Sequence, residues 1–263
     1  MSPQAKTDAL LVLNAGSSSL KFAVFALTGQ GLVQRHDGQM EGIGAAPRFM
    51  LCDATGAKLA ERSFTEAEAP KDHQGALGVI LQALKPLIDG ATIRAIGHRV
   101  VHGGRDLSAP VLITPAIMAQ LRALVPLAPL HQPHNLAGIE AAARHFPGVA
   151  QIACFDTAFH RTQSHAAASF ALPPRFYKQG ILRYGFHGLS YEYIARRLAA
   201  EIKRRAWPGC TVLYCPGKQY DGEVNPRWAL RLITGLDGQP LVPWPQDQPG
   251  SAAALPSPAQ VLA

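Results

Sequence analysis

The sequence predicts a mixed α/β domain over its first 205 residues. Short apolar runs separated by turn residues dominate the beginning of the chain, and strand-like and helix-like segments alternate after them. The hydrophobic content of 48% is typical of a globular protein with a substantial core, and no apolar run reaches the length of a membrane-spanning helix.

The strand predictions rest on short apolar runs bounded by Gly, Pro, Asp and Ser. Residues 9–13 and 20–27 flank a Ser-rich gap, which is a strand–turn–strand pattern. The same criterion predicts further strands at residues 31–36, 47–52, 58–64, 93–101 and 149–155.

Helices are predicted where apolar residues recur at helical spacing, over residues 73–87, 115–125, 135–146 and 190–205. Thr114 before Pro115 indicates an N-cap followed by proline in the first turn. No internal repeat is visible across these segments.

The formal net charge of +7 indicates anionic partners. We expect small anions rather than nucleic acid, because the one dense basic cluster, Lys203 to Arg205, lies at the end of a predicted helix and no nucleic-acid motif accompanies it. The four cysteines lie far apart and do not indicate a zinc site or disulfides. The start of the chain lacks a secretory pattern, so we expect a cytoplasmic protein without a membrane segment.

The character of the sequence changes near Ala206. Residues 206–263 contain Trp207, Trp228 and Trp244, all three tryptophans of the chain, and nine of its 21 prolines. Such a stretch without a sustained period is typical of linker or disordered sequence.

Five short segments contain residues suited to binding and chemistry. In Asn14–Lys21 a glycine, three serines and a lysine could surround an anion, although this is no P-loop and a Ser-rich turn can simply be a turn.

In the segment 97–104, Arg99 lies where a buried strand ends and a Gly-Gly loop begins. Its planar fork suits a carboxylate or phosphate, and the alternative is a structural ion pair.

The remaining three segments each place one polar residue beside an element end. His131 precedes a helix and could bind an anion or only cap that helix. Asp156 ends a hydrophobic strand, where an aspartate also commonly forms a turn. His187 lies between Gly185 and Gly188 just before a helix, where the backbone can approach a ligand closely or simply form a loop.

Five strings, in order and spacing, closely resemble acetate kinases: LVLNAGSSSLKFAVF, GHRVVHGG, PLAPLHQPHNLAGIEA, ACFDTAFH and YGFHGLS. The resemblance covers residues 9–205 and favours the acetate or propionate branch over butyrate kinases. It implies the actin-like, sugar kinase and Hsp70 (ribonuclease H-like) α/β fold. It also implies direct transfer of a phosphoryl group between ATP and acetate, giving ADP and acetyl phosphate, with Mg²⁺ as cofactor and a homodimer as the intact assembly.

The resemblance also implies a role for individual residues. Asn14 matches a Mg²⁺- and phosphate-binding position, with Ser17, Ser19 and Lys21 around the transferring group. Arg99 matches the arginine that grips the carboxylate or phosphoryl group, and Asp156 matches an acid that handles protons or orients this arginine. His131 and His187 match histidines near the phosphoryl group. Val101, Leu130 and Phe186 match the small apolar pocket for the methyl group.

Two departures from the family pattern stand out. Leu189 and Tyr191 replace the threonine and second histidine that commonly follow the Phe-His-Gly string. The sequence contains no His-Leu-Gly-Asn-Gly phosphate loop, and residues 206–263 resemble no part of the family's nucleotide-binding domain. We therefore expect a substrate domain over residues 1–205 followed by a tail of frameshifted or truncated origin, with activity lost or reduced. The alternative is a non-catalytic module that binds acetyl phosphate or another small anion.

Overall fold

The computed structural model describes residues 8–88, 91–204, 211–212 and 233–234. They fall into two compact units, residues 1–193 and residues 194–263. The candidate site residues all lie in the first unit.

The first unit is built on one eight-stranded sheet. Its strands are β1 (Asp8–Ala15), β2 (Ser19–Thr28), β3 (Gly31–Glu41), β4 (Arg48–Asp53), β5 (Lys58–Ser63), β6 (Thr92–Val100), β7 (Val111–Leu112) and β8 (Ala150–Phe155). Their order across the sheet is β5-β4-β3-β2-β1-β6-β8-β7. The first five strands form an antiparallel meander, whereas β6 runs parallel to both β1 and β8.

The described ranges contain six α-helices: α1 (His73–Leu84), α2 (Pro115–Ala123), α3 (Gln132–His145), α4 (His165–Ala168), α5 (Pro174–Lys178) and α6 (Gly188–Arg204). Thr114 accepts a hydrogen bond from the Ile117 amide with Pro115 in the first turn, so the predicted start of α2 is confirmed. The seven predicted strands and four predicted helices are all present, with ends shifted by up to five residues. The sequence did not predict β7, α4 or α5, because elements of two to five residues are too short to show a period.

The main core lies between one face of the sheet and helices α1 and α3. Alternate residues of β1 and β2, such as Leu11, Leu13, Leu20 and Phe22, are buried on this face. Leu77 and Ile80 of α1 are fully buried against it. This packing holds the strands in a fixed register, and that register sets the position of the polar residues at their ends.

The carboxyl ends of β1, β6 and β8 meet at one edge because these three strands are parallel and adjacent. Leu13 pairs with His98, and Arg99 pairs with Cys154 on the other side. Asn14, Arg99 and Asp156 therefore emerge close together where their strands end. Ligands of α/β folds bind at this edge.

His98 forms a buried polar pair with Gln151 below this edge. The His98 Nε2–H donates to Gln151 Oε1 at 2.7 Å, and His98 is only 4% exposed. Burial lowers the pKa of His98 from 6.5 to about 4, an effect that the hydrogen bond to Gln151 only partly offsets. The native state therefore holds this imidazole neutral.

We predict that this buried histidine makes the protein acid-sensitive. The unfolded chain protonates His98 near pH 6.5 and the folded chain only near pH 4, so its stabilising contribution is complete above pH 6.5 and is lost as the pH falls between these values. Between pH 7.5 and pH 5 the loss should be about 2 kcal/mol in the free energy of unfolding, measured in urea. The variant His98→Gln can still pair with Gln151 but does not titrate, so this loss of unfolding free energy between pH 7.5 and pH 5 should be absent. Parallel pH profiles of the two proteins would contradict the assignment.

The second unit contains the remainder of α6 from residue 194 and a short antiparallel pair. The strands Thr211–Val212 (β9) and Ile233–Thr234 (β10) form this pair. The rest of the predicted linker or disordered tail, 206–263, lies outside the described residues. Within the described part of the chain, no helix is long and apolar enough to cross a membrane.

Candidate active site

Arg99 is the centre of a hydrogen-bond cluster at the edge of the sheet. Its Nε–H donates to both carboxylate oxygens of Asp156 at 3.0 Å, and its Nη2 donates to Asp156 Oδ2 at 2.6 Å. Nη1 donates to Asn14 Oδ1 at 3.2 Å, and Nη2 also lies 3.4 Å from Nδ1 of His187. One side chain thus joins residues 85, 57 and 88 positions away in sequence.

Asp156 fixes the orientation of the guanidinium. Its side chain is only 1% exposed, whereas that of Arg99 is 35% exposed, so the ion pair has a buried anchor and a solvent-facing end. A fork-to-carboxylate contact fixes the plane of the guanidinium. The structural ion pair that the sequence left open is therefore present. Because a guanidinium has five N–H groups and only one Nη1–H of Arg99 is used by Asn14, the exposed end can still bind an anion.

The loop before α6 brings His187 to this cluster. His187 has φ = +57°, a left-handed conformation that is uncommon for a residue with a side chain. The next amide, Gly188 N–H, donates to the Asp156 carbonyl at 2.8 Å, and a Cβ on Gly188 would lie 2.2 Å from that same oxygen. Glycine is thus required at 188, and the close approach holds His187 beside the ion pair.

The turn after β1 lies next to Asn14. The Gly16 amide donates to the Ser19 carbonyl at 2.8 Å, and Lys21 pairs directly with Asn14 across β1 and β2. Ser17 and Lys21 are exposed, and Ser19 is half-buried. This geometry leaves hydroxyl groups and an ammonium group facing solvent beside the Arg99 cluster, as an anion-binding turn requires, although the assignments of Ser17, Ser19 and Lys21 stay predictions.

Asn135, a buried residue in the first turn of α3, connects the two strands that carry Asn14 and Arg99. Its Nδ2 donates to the Ala15 carbonyl at 2.6 Å, and its Oδ1 accepts from the Val101 amide at 2.8 Å. Asn135 is only 6% exposed. A single amide therefore satisfies two backbone groups, one on the last residue of β1 and one just after the end of β6.

We predict that Asn135→Ala lowers the free energy of unfolding by about 2–3 kcal/mol, because two backbone groups lose their partner in a buried place. Urea denaturation measures this loss. Gln120→Ala, an exposed position on α2, is the matched control and should change stability by less than about 0.5 kcal/mol. A loss in Asn135→Ala as small as that of the control would show that the bridge is unimportant.

The residues predicted to form the apolar pocket are only partly brought together. Phe186 is 37% exposed and its ring lies 5.7 Å from that of buried His102. Val101 is half-buried and is held through its amide, whereas Leu130 is 74% exposed. His131 is the N-cap residue of α3 and makes no side-chain capping bond. Burial lowers the pKa of His134, and the nearby His73 and His131 lower it further. The substrate-binding roles of these residues stay predictions.

Several residues that support the site were not singled out from the sequence. His73 is buried at the start of α1, and its Nε2–H donates to the Gly16 carbonyl at 2.7 Å, which fixes the turn after β1. Thr157 is buried and accepts from the Gly103 amide at 3.0 Å. Tyr191, which the sequence showed only as a departure from the family pattern, lies near His187, and burial together with Asp156 raises its pKa. Asn135 lies within the string PLAPLHQPHNLAGIEA, but its partners are strand ends that only the fold brings together.

The donor set does not fit a metal ion held by protein side chains alone. Asn14 Oδ1 and both oxygens of Asp156 already accept from the Arg99 cation. Across the described ranges there is no group of three or more His, Cys, Asp or Glu residues that could hold an ion. Mg²⁺ typically binds one or two carboxylates together with substrate phosphates and water. A role of Asn14 as a magnesium ligand therefore stays a prediction, and its observed contact is with Arg99.

Comparison with known proteins identifies the family in which this cluster occurs. The acetokinase family model matches residues 9–213, most of the chain and all the site residues named above. The chain belongs to the acetokinase family. This membership confirms the resemblance inferred from the sequence, and the match continues past residue 205 to residue 213.

Curated relatives and solved structures agree with this placement. The chain is 48% identical to the acetate kinase of Rhizobium meliloti over 206 residues, which is 78% of this chain and 52% of the relative. It is 49% identical to the acetate kinase of Methylocella silvestris over 195 residues, covering 72% and 48%. The chain thus spans about half the length of the curated relatives it matches.

Two solved structures share the fold over 74% of this chain and 49% of their own length. One is the acetate kinase of Porphyromonas gingivalis, with a TM-score of 0.64 and 35% identity. The other is a propionate kinase from Francisella tularensis, with a TM-score of 0.66 and 32% identity. The predicted α/β class and actin-like fold are confirmed by these acetokinase relatives.

Proposed function

We propose that this chain binds a small carboxylate and its acyl phosphate at the exposed end of Arg99, as the substrate-binding part of an acetate kinase-type phosphotransferase. The observation that supports it is the Arg99 cluster: a cation anchored on buried Asp156, with Asn14 and His187 on its other two sides. Family membership supports the reaction, which is ATP plus acetate giving ADP plus acetyl phosphate.

The chemistry asked of these residues is mainly alignment and charge stabilisation. In phosphoryl transfer the negative charge spreads over the equatorial oxygens of the transferred group, and fixed donors stabilise it without moving. Arg99, whose plane is set by Asp156, would bind the carboxylate or phosphoryl oxygens, and His187 would donate to the same group. A carboxylate nucleophile is already ionised at neutral pH, so no base is needed to activate it.

The finer assignments rest on the family resemblance. ATP-using kinases generally require a divalent metal, and Mg²⁺ would enter with the phosphates of the nucleotide. A homodimer and a cytoplasmic location are proposed on the same basis. Acetate and propionate differ by one methylene, worth about 1–3 kcal/mol in an apolar pocket, so both are proposed as substrates.

A second candidate function is a non-catalytic module that binds acetyl phosphate or another small anion. The observation that favours it is the Arg99 cluster itself, whose contacts suffice to hold one anion and do not require a second substrate. Productive transfer requires both substrates to be held in line, and misplacement of one is enough to suppress it.

Two measurements on the full chain test these proposals. A coupled assay of ATP- and acetate-dependent ADP formation tests transfer, and calorimetry with acetyl phosphate tests binding. Binding with transfer supports the kinase, and binding without transfer supports the module. If acetyl phosphate does not bind, or binds equally well when Arg99 is replaced by glutamine, the assignment of this site is wrong.

A further inference from the structure

A cleft of about 110 Å³ lies behind the loop that presents His187. Three segments line it, from 157–163, 165–177 and 183–185. Because such a volume exceeds what one water molecule requires, the cleft has room for several waters or for a small tetrahedral or carboxylate anion.

The walls of this cleft are cationic. The guanidinium groups of Arg161 and Arg183 line it beside the rings of His160 and His165, and no aspartate or glutamate does so among the described residues. Asp106 acts electrostatically on Tyr184 in the cleft wall, although Arg161 and Arg105 act on it more strongly. Burial raises the pKa of the Tyr184 phenol, which keeps its O–H available as a donor.

Arg161 carries an unsatisfied buried donor. Its Nε–H is buried and has no hydrogen-bond partner, and Arg161 makes no ion pair in the described part of the chain. In contrast, four arginines whose side chains are 53–65% exposed each pair with a carboxylate, namely Arg48, Arg62, Arg94 and Arg122. A half-buried cation without a counterion is costly, and an anion bound at its Nη groups would offset this cost.

We propose that this cleft is a second anion site, distinct from the Arg99 cluster, that binds a small oxyanion of the phosphate or carboxylate class through Arg161 and Arg183. Arg161 would use one N–H of each Nη group as a fork, because its Nε–H is buried, and this geometry matches two oxygens of one anion. Tyr184 and His165 are placed to donate to the remaining oxygens.

A residue that lines this site, His160, also contacts the loop that carries His187. The His160 Nε2–H donates to the Phe186 carbonyl at 3.0 Å, and a Cβ on Gly185 would lie 2.3 Å from the His160 ring. The His160 ring also lies 5.4 Å from that of Tyr191. An anion between Arg161 and Tyr184 would therefore lie against the segment that carries Phe186 and His187.

Calorimetry with inorganic phosphate on the full chain tests the site, with malonate as a second probe that separates phosphate from dicarboxylate binding. The wild-type protein should bind phosphate at the cleft, and Arg161→Gln should weaken this binding roughly 10- to 100-fold, the loss of a charged hydrogen-bond pair. Arg161→Lys, which keeps the charge but loses the fork, should weaken it less. Arg62→Gln, a surface position with the same change in charge, should leave it unaffected.

The variants also separate this site from the proposed function. Arg99→Gln should leave the cleft site intact, and Arg161→Gln should leave acetyl phosphate binding at Arg99 intact. Because Arg161 makes no ion pair in the described residues, Arg161→Gln should unfold at a Tm no lower than that of the wild type without phosphate, which controls for misfolding. If Arg161→Gln and Arg183→Gln both bind phosphate with wild-type affinity and stoichiometry, the second site does not exist.

Discussion

Replacing Arg99 with glutamine should weaken acetyl phosphate binding about 100-fold or more, because Arg99 is the only cation of the central cluster that is anchored on a buried carboxylate among the described residues. Calorimetry measures this effect and requires no turnover. Arg99→Lys keeps the charge but replaces the fork by a compact ammonium group. It should therefore recover only part of the binding.

The same substitution should also destabilise the fold. Asp156 is 1% exposed, and all its side-chain hydrogen bonds in the described structure come from Arg99. Removing the partner leaves a buried carboxylate uncompensated, at a cost of about 2–3 kcal/mol in the free energy of unfolding. This value is below that of a fully buried pair because Arg99 is 35% exposed.

A double variant separates binding from stability. Arg99→Gln with Asp156→Asn removes both charges and can retain an amide–amide hydrogen bond, so urea denaturation should show most of the lost stability restored. Binding of acetyl phosphate should remain weak, since the cation is still missing. Wild-type binding by either Arg99→Gln protein would rule out Arg99 as the anion-binding residue.

Replacing His187 should reduce phosphoryl transfer about 100- to 1,000-fold while changing acetyl phosphate binding much less. His187 lies 3.4 Å from Arg99 Nη2, whereas Asn14 is bonded to Nη1, so His187 can donate to charge that develops beside Nη2 during transfer. A group that acts mainly in the transition state affects the rate more than the ground-state affinity. Initial rates of ADP formation and calorimetry together measure this difference.

The choice of variant matters because His187 has φ = +57°. Asparagine tolerates this left-handed conformation better than alanine does. His187→Asn should therefore fold like the wild type, and any further loss in His187→Ala reports backbone strain rather than catalysis. His145→Asn, at the exposed end of α3, is the matched control and should keep full activity. Equal losses of rate and affinity in His187→Asn would indicate a binding role instead.

Much of the site was accessible from motifs in the sequence. Asn14, Arg99, Asp156 and His187 were each singled out at the end of a strand or the start of a helix, and the structure brings all four together through Arg99. Their convergence follows from parallel strands, whose carboxyl ends share an edge. His131 was singled out on the same grounds and Leu130 only from the family resemblance, yet both are exposed, and the roles implied for them by the family stay untested.

Other residues were not accessible from sequence patterns because their roles arise from contacts between distant segments. Asn135 bridges Ala15 and Val101, which lie 120 and 34 positions away along the chain. Arg161 resembles any loop arginine in the sequence. Only the folded segments around it show that its Nε–H is buried without a partner.

The sequence by itself determined the α/β class, the order of the main strands and helices, and the family, because these depend on local periodicity and on short motifs in fixed order. The tertiary structure alone decided which polar groups meet: that Asp156 anchors Arg99, that Asn135 joins two strands, and that Arg161 faces a cationic cleft. The physical reason is that hydrogen bonding and burial depend on distance in space. That distance is set by sheet register and helix packing rather than by the neighbours of a residue along the chain.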